Sequence, residues 1–195
     1  MSLIVVSAIL EESSPSLALL EKQGVDVAYH CLGVGPLHAA KAVAAIAAAS
    51  RGKRVIYIGS AGSYAGFDEP YLVTANRVLW SPSGERFGLA ERPDWLYGPL
   101  ELEPPAWLLS LAPRTVLTST GITIYDGLPP RKGSEACVEN MELYACCQEL
   151  RESAREFAVI LGITNQIGSQ GREQWLRHRA RVAAMTAEYI GIHCL

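Results

Sequence analysis

The sequence has no run of like charges and no large excess of either sign. Its 195 residues carry 17 Lys and Arg against 20 Asp and Glu, which is a formal net charge of −3. Nucleic acids and anionic membranes attract proteins through clustered positive charge. Neither of these partners is therefore expected.

Other absences exclude further classes of protein. The five cysteines are an odd number, form no CxxC pair and have no histidine cluster near them, which disfavours a disulfide framework and a zinc site. The most apolar helical segment, LHAAKAVAAIAAAS, is too short to span a bilayer and contains Lys41. The N-terminal MSLIVVSAIL lacks a positively charged start, so it is predicted as a strand and not a signal peptide. We expect a cytoplasmic protein without a metal ion.

What the chain does contain is an alternation of strand-like and helix-like segments. This alternation predicts one α/β domain at 1–195, a three-layer sandwich with a mixed, mostly parallel central sheet. Strands are predicted at 3–8, 26–32, 54–58, 71–79, 115–119 and 157–163, and helices at 16–22, 37–49, 138–157 and 173–189.

The segment at 81–113 departs from this alternation. It holds six prolines and two of the four tryptophans and has little periodicity. We predict that it is an insertion, an active-site flap or an oligomer contact.

Two glycine motifs follow predicted strands. The first, GVG at 33–35, could bring the backbone close to a phosphate at a helix N-terminus. A dinucleotide fold would need a third glycine where His38 stands and an acid after the next strand, so a Rossmann cofactor is not expected. The second, GSAG at 59–62, either allows close approach to a flat ligand or forms a tight turn.

Acidic and amide side chains mark three other positions. Glu11 and Glu12 follow the first strand, where they could act as a general base or simply be solvated. Glu142 near the predicted start of a helix is either an ordinary first-turn acid or an acceptor for two vicinal ribose hydroxyls. Thr164 and Asn165 end the strand at 157–163, where they either contact a ligand or begin a loop.

Taken in order, these pieces resemble the purine nucleoside phosphorylase and nucleosidase superfamily. The most specific matches are GSAG at 59–62 and ENMELYA at 139–145, while 81–113 is not covered. The resemblance implies the nucleoside phosphorylase fold and an enzyme that cleaves an N-ribosidic bond. It also implies that the partner is a small purine nucleoside and that no cofactor is needed. It also implies a homodimer or higher homo-oligomer.

Two positions indicate which reaction is catalysed and which purine base is released. Superfamily members that cleave adenine nucleosides carry an aspartate where this chain has Asn165, and an amide cannot protonate N7 but can hydrogen-bond a 6-oxopurine. Hexameric phosphorylases carry a phosphate-binding arginine where this chain has Tyr57, so water is the expected nucleophile. The resemblance therefore favours a hydrolase that releases hypoxanthine.

Among such hydrolases the chain is most similar to the futalosine hydrolases of menaquinone biosynthesis. In these the Ser/Thr-Asn pair is followed by a basic residue and a tryptophan, here Arg172 and Trp175. Leu143 and Tyr144 depart from the small residues usual after the Met-Glu pair. An adenine-type nucleosidase, a phosphorylase and a non-catalytic nucleoside-binding protein remain alternatives.

The resemblance also implies a role for individual residues. Glu12 orients the attacking water, with Glu11 as the alternative, and Asn165 holds the leaving base. Glu142 accepts from the ribose hydroxyls. The substrate-binding residues implied are Ser60, Ala61, Gly62, Ile122, Thr123, Asn140, Met141, Glu142 and Thr164.

Overall fold

The computed structural model describes residues 2–82, 85, 91, 97–124, 126 and 137–194. Strands and helices alternate along most of this chain. The strands are β1 (Leu3–Ser7), β2 (Val27–Cys31), β3 (Arg54–Ser63), β4 (Tyr71–Trp80), β5 (Leu100–Glu101), β6 (Ala112–Thr118), β7 (Cys137–Asn140) and β8 (Glu156–Gln166). The helices are α1 (Leu10–Lys22), α2 (Pro36–Ser50), α3 (Leu143–Ser153) and α4 (Gly171–His193), with a 3₁₀ turn at Ala106–Leu108.

The strands form one mixed sheet in which β3 is central. β3 pairs in parallel with β1 and β8, and β1 pairs in parallel with the edge strand β2. β8 continues to β4 and β4 to β6, and β6 lies parallel to β7. β7 returns to the end of β3 through an antiparallel pairing of Glu139 with Gly62 and of Val138 with Ser63. Five strands therefore close into a ring, and the predicted mixed, mostly parallel α/β sheet is confirmed.

Helices cover both faces of the sheet. Successive residues of β1 enter opposite cores: Leu3 and Val5 pack in a cluster with Ile190 of α4, whereas Ile4 and Val6 pack in a cluster with residues of α2 and α3. Because a strand presents alternate residues to its two faces, a continuous apolar run is the pattern expected when both faces are buried.

Two boundaries, the start of α1 and the end of β3, differ from the prediction in ways that matter for the site. α1 begins at Leu10, so Glu11 and Glu12 lie in its first turn. β3 continues through the GSAG motif to Ser63, because β8 and β7 pair with both edges of its final residues. The interpretation of this motif as a tight turn is therefore wrong.

The predicted helix at 138–157 is wrong at both ends. Its first residues form β7, and Glu139 is thus a strand residue that does not share a helical turn with Glu142. Glu142 stands directly before α3, which ends at Ser153, and β8 already begins at Glu156.

The segment predicted as an insertion or flap is described only in part. Residues 83, 84, 86–90 and 92–96 lie outside the described residues. In the remainder, β5 pairs with β4, and Leu108 of the 3₁₀ turn is fully buried in the core on the α4 side. Within the described part of the chain, no helix is both long and apolar enough to cross a membrane.

Candidate active site

A cavity of about 390 Å³ lies beyond the carboxyl ends of β1, β3 and β8. Of the predicted site residues, only Glu11 does not line it, because this side chain points to solvent. The chain segments that meet here are far apart in sequence. The predicted residues in its wall are Glu12, Ser60, Ala61, Gly62, Ile122, Thr123, Asn140, Met141, Glu142, Thr164 and Asn165.

Glu12 reaches the cavity from the first turn of α1. Its Oε1 accepts hydrogen bonds from the backbone N–H of Ser60 at 2.9 Å and from the Ser60 hydroxyl at 2.6 Å. Its Oε2 is buried and has no hydrogen-bond partner in the described part of the chain. Burial raises the pKa of this carboxyl, although the bonds from Ser60 oppose the shift. A buried carboxylate with one unengaged oxygen can accept a proton from water.

Glu142 is the second carboxylate in the cavity and is 5% exposed. Its Oε1 accepts a hydrogen bond from the N–H of Gly35 at 2.7 Å. Gly35 has a φ of 92°, a conformation that favours glycine, and it directly precedes α2. Burial, and then the charge of Glu12, raise the pKa of Glu142 to about 7, against the effect of the bond from Gly35.

Asn140 lies in the cavity wall, and its polar atoms contact the protein. Its Oδ1 accepts from the backbone N–H groups of Glu142 at 3.0 Å and Leu143 at 2.8 Å and from the hydroxyl of Tyr57 at 3.2 Å. Its Nδ2 donates to the carbonyl of Ser60 at 3.0 Å. Asn140 thus binds N–H groups at the start of α3 and joins this segment, which carries Glu142, to β3, whose Ser60 binds Glu12. Its contact with a substrate stays a prediction.

A bulge in β8 presents the Thr-Asn pair to the cavity. The pairing with β3 passes from Ala61 opposite Ile163 to Gly62 opposite Asn165, which leaves Thr164 as an extra residue. The Thr164 hydroxyl donates to Oδ1 of Asn165 at 2.8 Å, and Nδ2 of Asn165 donates to the carbonyl of Gln166 at 2.9 Å. One hydrogen of the amide nitrogen remains for another acceptor.

Gly62 makes room for this amide. A Cβ atom at this position would lie 2.8 Å from Nδ2 of Asn165 and 2.4 Å from Cδ1 of Ile167. At this glycine the close approach is made by side chains of the protein itself, and close approach of GSAG to a flat ligand stays a prediction.

Glu139 is a cavity residue to which the sequence prediction gave no role. It is 6% exposed, and its Oε2 accepts from the hydroxyls of Tyr64 at 2.7 Å and Thr123 at 2.9 Å. The N–H of Thr123 donates to its Oε1 at 3.2 Å. This carboxylate therefore fixes the segment that carries Ile122, whose side chain lines the cavity. The prediction of a helix at 138–157 gave no reason to expect this residue in the cavity.

Arg172 and Trp175, near the start of α4, also line the cavity. The indole N–H of Trp175 donates to the Ser60 hydroxyl oxygen at 3.0 Å. The sequence drew attention to both residues but assigned neither to the site. Other lining residues that were not predicted are Ala8, Ile9, Val34, Ile167 and Gly171.

The charges in the cavity bear on which ligands it can hold. Among the described lining residues, three are glutamates and only Arg172 is basic. Tyr57 lies in the core with its hydroxyl on Asn140, not in the cavity wall. No group of three potential metal ligands occurs among the described residues.

Solved structures share this architecture. Helicobacter pylori 5′-methylthioadenosine/S-adenosylhomocysteine nucleosidase, in a mutant with 5′-methylthioadenosine in the active site, superposes with a TM-score of 0.75 at 14% identity, over 99% of this chain and 97% of that one. The chain has the nucleoside phosphorylase fold. Native H. pylori futalosine hydrolase superposes with a TM-score of 0.74 at 11% identity, over 100% and 98% of the two chains.

The nucleoside phosphorylase fold was the predicted one, and the structural neighbours are nucleosidases of that superfamily. A third, the Neisseria meningitidis nucleosidase in complex with methylthio-immucillin-A, gives a TM-score of 0.73 at 17% identity, over 100% and 99% of the chains. No protein-family model and no curated protein sequence matches the chain. At these identities the likeness concerns the fold, and the function has to be argued from the site.

Proposed function

We propose that the protein is a purine nucleoside hydrolase that cleaves the N-ribosidic bond with water. The observation that carries this proposal is the pair of buried carboxylates, Glu12 and Glu142, facing one cavity whose wall also contains Asn165. The two carboxylates have different hydrogen-bond partners and can take different roles. The nucleosidases with the same fold support the reaction class.

In the proposed reaction the oxygen of water bonds to C1′ of the ribose. The bond from C1′ to the purine nitrogen breaks, and its electron pair leaves with the base. Oε2 of Glu12 takes one proton from water, and the departing purine takes up one proton from solvent. Glu12 then returns its proton to solvent, so that the net products are ribose with a 1′ hydroxyl and the neutral base. Because Oε1 of Glu12 already accepts two bonds from Ser60, Oε2 is the oxygen available for this step.

Glu142 stabilises the sugar during the same step. Its Oε1 is held by Gly35, so its second oxygen can accept from the 2′ and 3′ hydroxyls of the ribose. Positive charge develops on the sugar as the bond breaks, and a nearby carboxylate in a water-poor cavity stabilises that charge. Met141, also in the cavity wall, would pack against the ribose.

Asn165 favours a 6-oxopurine as the leaving base. An amide can donate to N7 or O6 and accept from N1–H, but it has no proton to give to N7. A hypoxanthine nucleoside is therefore the proposed substrate class, and futalosine is the candidate within it. The cleavage of 5′-methylthioadenosine is the second candidate, because a neighbouring structure holds that nucleoside.

Water is favoured over phosphate because of the charges in the cavity. Three glutamates and one arginine among its described lining residues would repel a phosphate dianion. The buried Tyr57 supplies no positive charge at the position where the resembling phosphorylases have arginine.

A homodimer or a higher homo-oligomer remains part of the proposal. Val34 and Ile122 line the cavity and are 56% and 59% exposed, and Leu37, near Val34 in sequence, is 85% exposed. A contiguous exposed apolar patch often marks a protein contact, and these side chains are the ones that we propose for the contact between subunits. The cytoplasmic location and a place in menaquinone biosynthesis remain predictions.

The test is chromatography of the free base after incubating the protein with inosine, futalosine or 5′-methylthioadenosine, each with and without phosphate. We expect hypoxanthine from a hypoxanthine nucleoside without phosphate. Adenine release would contradict the role of Asn165, and a requirement for phosphate would contradict hydrolysis. Tight binding of a nucleoside that stays intact would instead identify a binding protein.

A further inference from the structure

A chain of hydrogen bonds connects α4 to the carboxylate on α1. The indole N–H of Trp175 donates to the Ser60 hydroxyl oxygen at 3.0 Å. The Ser60 hydroxyl donates to Oε1 of Glu12 at 2.6 Å, and the Ser60 backbone N–H donates to the same oxygen at 2.9 Å. The three residues come from three separate elements, α4, β3 and α1.

The donors and acceptors along these hydrogen bonds allow only one direction of donation, from Trp175 through Ser60 to Glu12. An indole nitrogen can donate but cannot accept, so the oxygen of Ser60 must be the acceptor in its bond with Trp175. The carboxylate oxygen of Glu12 can only accept when it is ionised, so the single hydroxyl hydrogen of Ser60 points to Oε1. Oε2 is buried without a partner in the described residues, which leaves it as the oxygen that can gain a proton.

We propose that Trp175 is a positioning residue that sets the Ser60 hydroxyl on Oε1 of Glu12 and so reserves Oε2 for the proton. The catalytic consequence rests on the proposed function, in which that proton comes from the attacking water. The hydrogen-bond direction itself does not depend on the substrate. A hydroxyl that accepts one bond is also a stronger donor in the next, because successive hydrogen bonds polarise one another.

Several charged or titratable groups lie around these hydrogen-bonded residues, and their charges have to be considered when the titration of Glu12 is measured. The guanidinium of Arg179, one helical turn after Trp175, lies over the indole at 4.9 Å from the ring centroid. Glu12 and Glu142 are close enough for the charge of one to raise the pKa of the other. The charge of Glu12 acts on Tyr57 of β3 and on Glu142 ahead of α3. The other charged groups to be considered are Glu139 of β7 and Arg172 of α4, which line the same cavity, and Arg179 over Trp175.

The first experiment uses the unaltered protein without a substrate. The indole ¹H and ¹⁵N signals of Trp175 and the carboxyl ¹³C signal of Glu12 are followed by NMR as the pH is changed. We expect the Trp175 indole to shift with the same midpoint as Glu12. The Trp107 indole is the internal control, since it donates to Glu156 at the opposite end of β8. A Trp175 indole that ignores the titration of Glu12 would overturn the proposal.

The second experiment removes the donor. Trp175→Phe keeps an aromatic ring but has no N–H, and Trp107→Phe is the matched control for loss of an indole donor to a glutamate. Trp175→Phe is expected to raise the Glu12 midpoint by about 0.3 to 1 unit, because the ionised form loses part of its stabilisation from Ser60. In a Ser60→Ala background the same change is expected to have no effect on Glu12. An equal shift in that background would show that Trp175 does not act through Ser60.

The kinetic consequence separates positioning from a general loss of structure. If Glu12 must be ionised, Trp175→Phe should lower kcat/KM more at pH 6 than at pH 9. A structural defect would lower it equally at both pH values, and that result would contradict the proposal. If the NMR titrations agree with the inference while no base is released from any nucleoside, the positioning role stands and the proposed function fails.

Discussion

Glu11 and Glu12 are adjacent in sequence but have different surroundings. Glu12 faces the cavity and is bound by Ser60, whereas Glu11 is exposed to solvent. We expect Glu12→Gln to lower kcat by about 10²-fold or more, because the amide cannot take a proton from water. Glu11→Gln is the matched control and should remain within about twofold of the unaltered protein. Base release measured by chromatography decides between them.

The opposite ranking would move the general base to Glu11, the residue that sequence alone could not separate from its neighbour. Equal and small effects of the two changes would show that neither carboxylate acts on the water. Both outcomes require that the variants still unfold cooperatively, which urea denaturation checks.

Glu142 carries a cost in stability that depends on pH. Its pKa is raised from 4.5 to about 7 in the folded protein, so the folded state holds a proton more tightly than the unfolded state. Stability from this group is therefore fully present below pH 4.5 and is lost as the pH rises to about 7. We expect Glu142→Gln to be more stable than the unaltered protein at pH 8, by up to about 3 kcal/mol.

Urea denaturation at pH 4.5 and pH 8 measures this difference. At pH 4.5 the two proteins should differ little, because the native carboxyl is already neutral there. A stability difference that does not change with pH would contradict the raised pKa. Base release should be strongly reduced in the same variant at pH 8.

At the scale of elements, α4 packs against β8 at a glycine. A Cβ atom on Gly162 would lie 1.8 Å from Cγ1 of Val182 and 3.1 Å from its Cβ. A valine in a helix strongly prefers a single χ1 rotamer, so Val182 cannot relieve the clash by rotating its side chain. We expect Gly162→Ala to lower the free energy of unfolding by about 1 to 3 kcal/mol, because the helix must shift from the sheet.

Two further variants test the cause. Gly162→Ala with Val182→Ala should regain part of the lost stability, since the second change removes the clashing methyl groups. Gly66→Ala is the control, because nothing lies within 4 Å of its added Cβ. No recovery in the double variant would show that the loss comes from the strand and not from the contact with α4.

The elements that the sequence predicted well are those whose burial gives a simple pattern of apolar residues. β1 and β8 are continuous apolar runs with helices on both faces, and their centres were predicted correctly. β7 was missed because its four residues, CVEN, include a glutamate and an asparagine that local patterns associate with helix starts and turns. In the folded protein these two side chains are buried in a strand because other segments supply their hydrogen-bond partners. Glu139 bonds to Thr123, and Asn140 bonds to Tyr57 and Ser60.

At the scale of the whole molecule, the cavity brings together residues that no sequence spacing connects. Resemblance to a superfamily predicted most of its lining, including Ser60, Met141 and Thr164. Glu139 and Trp175 also stand in the matched stretches, but no role was predicted for them, because their roles depend on tertiary contacts with Thr123 and Ser60. A motif shows that a residue is present, and only the fold shows what its side chain contacts.

Ligand binding should also be visible as stability of the whole molecule. A ligand at 100 times its Kd stabilises the folded state by about 2.7 kcal/mol. We expect hypoxanthine to raise Tm more than adenine at equal concentration. The remaining Nδ2 hydrogen of Asn165 has two acceptors in hypoxanthine, N7 and O6, whereas adenine has an amino group, which donates, in place of O6. A larger shift with adenine, measured by differential scanning calorimetry, would favour the adenine-type nucleosidase.

The ring of five strands has a consequence for how the protein folds. The last of its five strands along the chain is β8, which pairs with β3 across about 102 positions and with β4 across about 92. Closing loops this long has an entropic cost before the pairing offsets it, and this slows folding. β8 also carries Thr164 and Asn165 of the cavity wall. Refolding protein should therefore regain its activity only once β8 has paired, as a late event and not in proportion to its helix content.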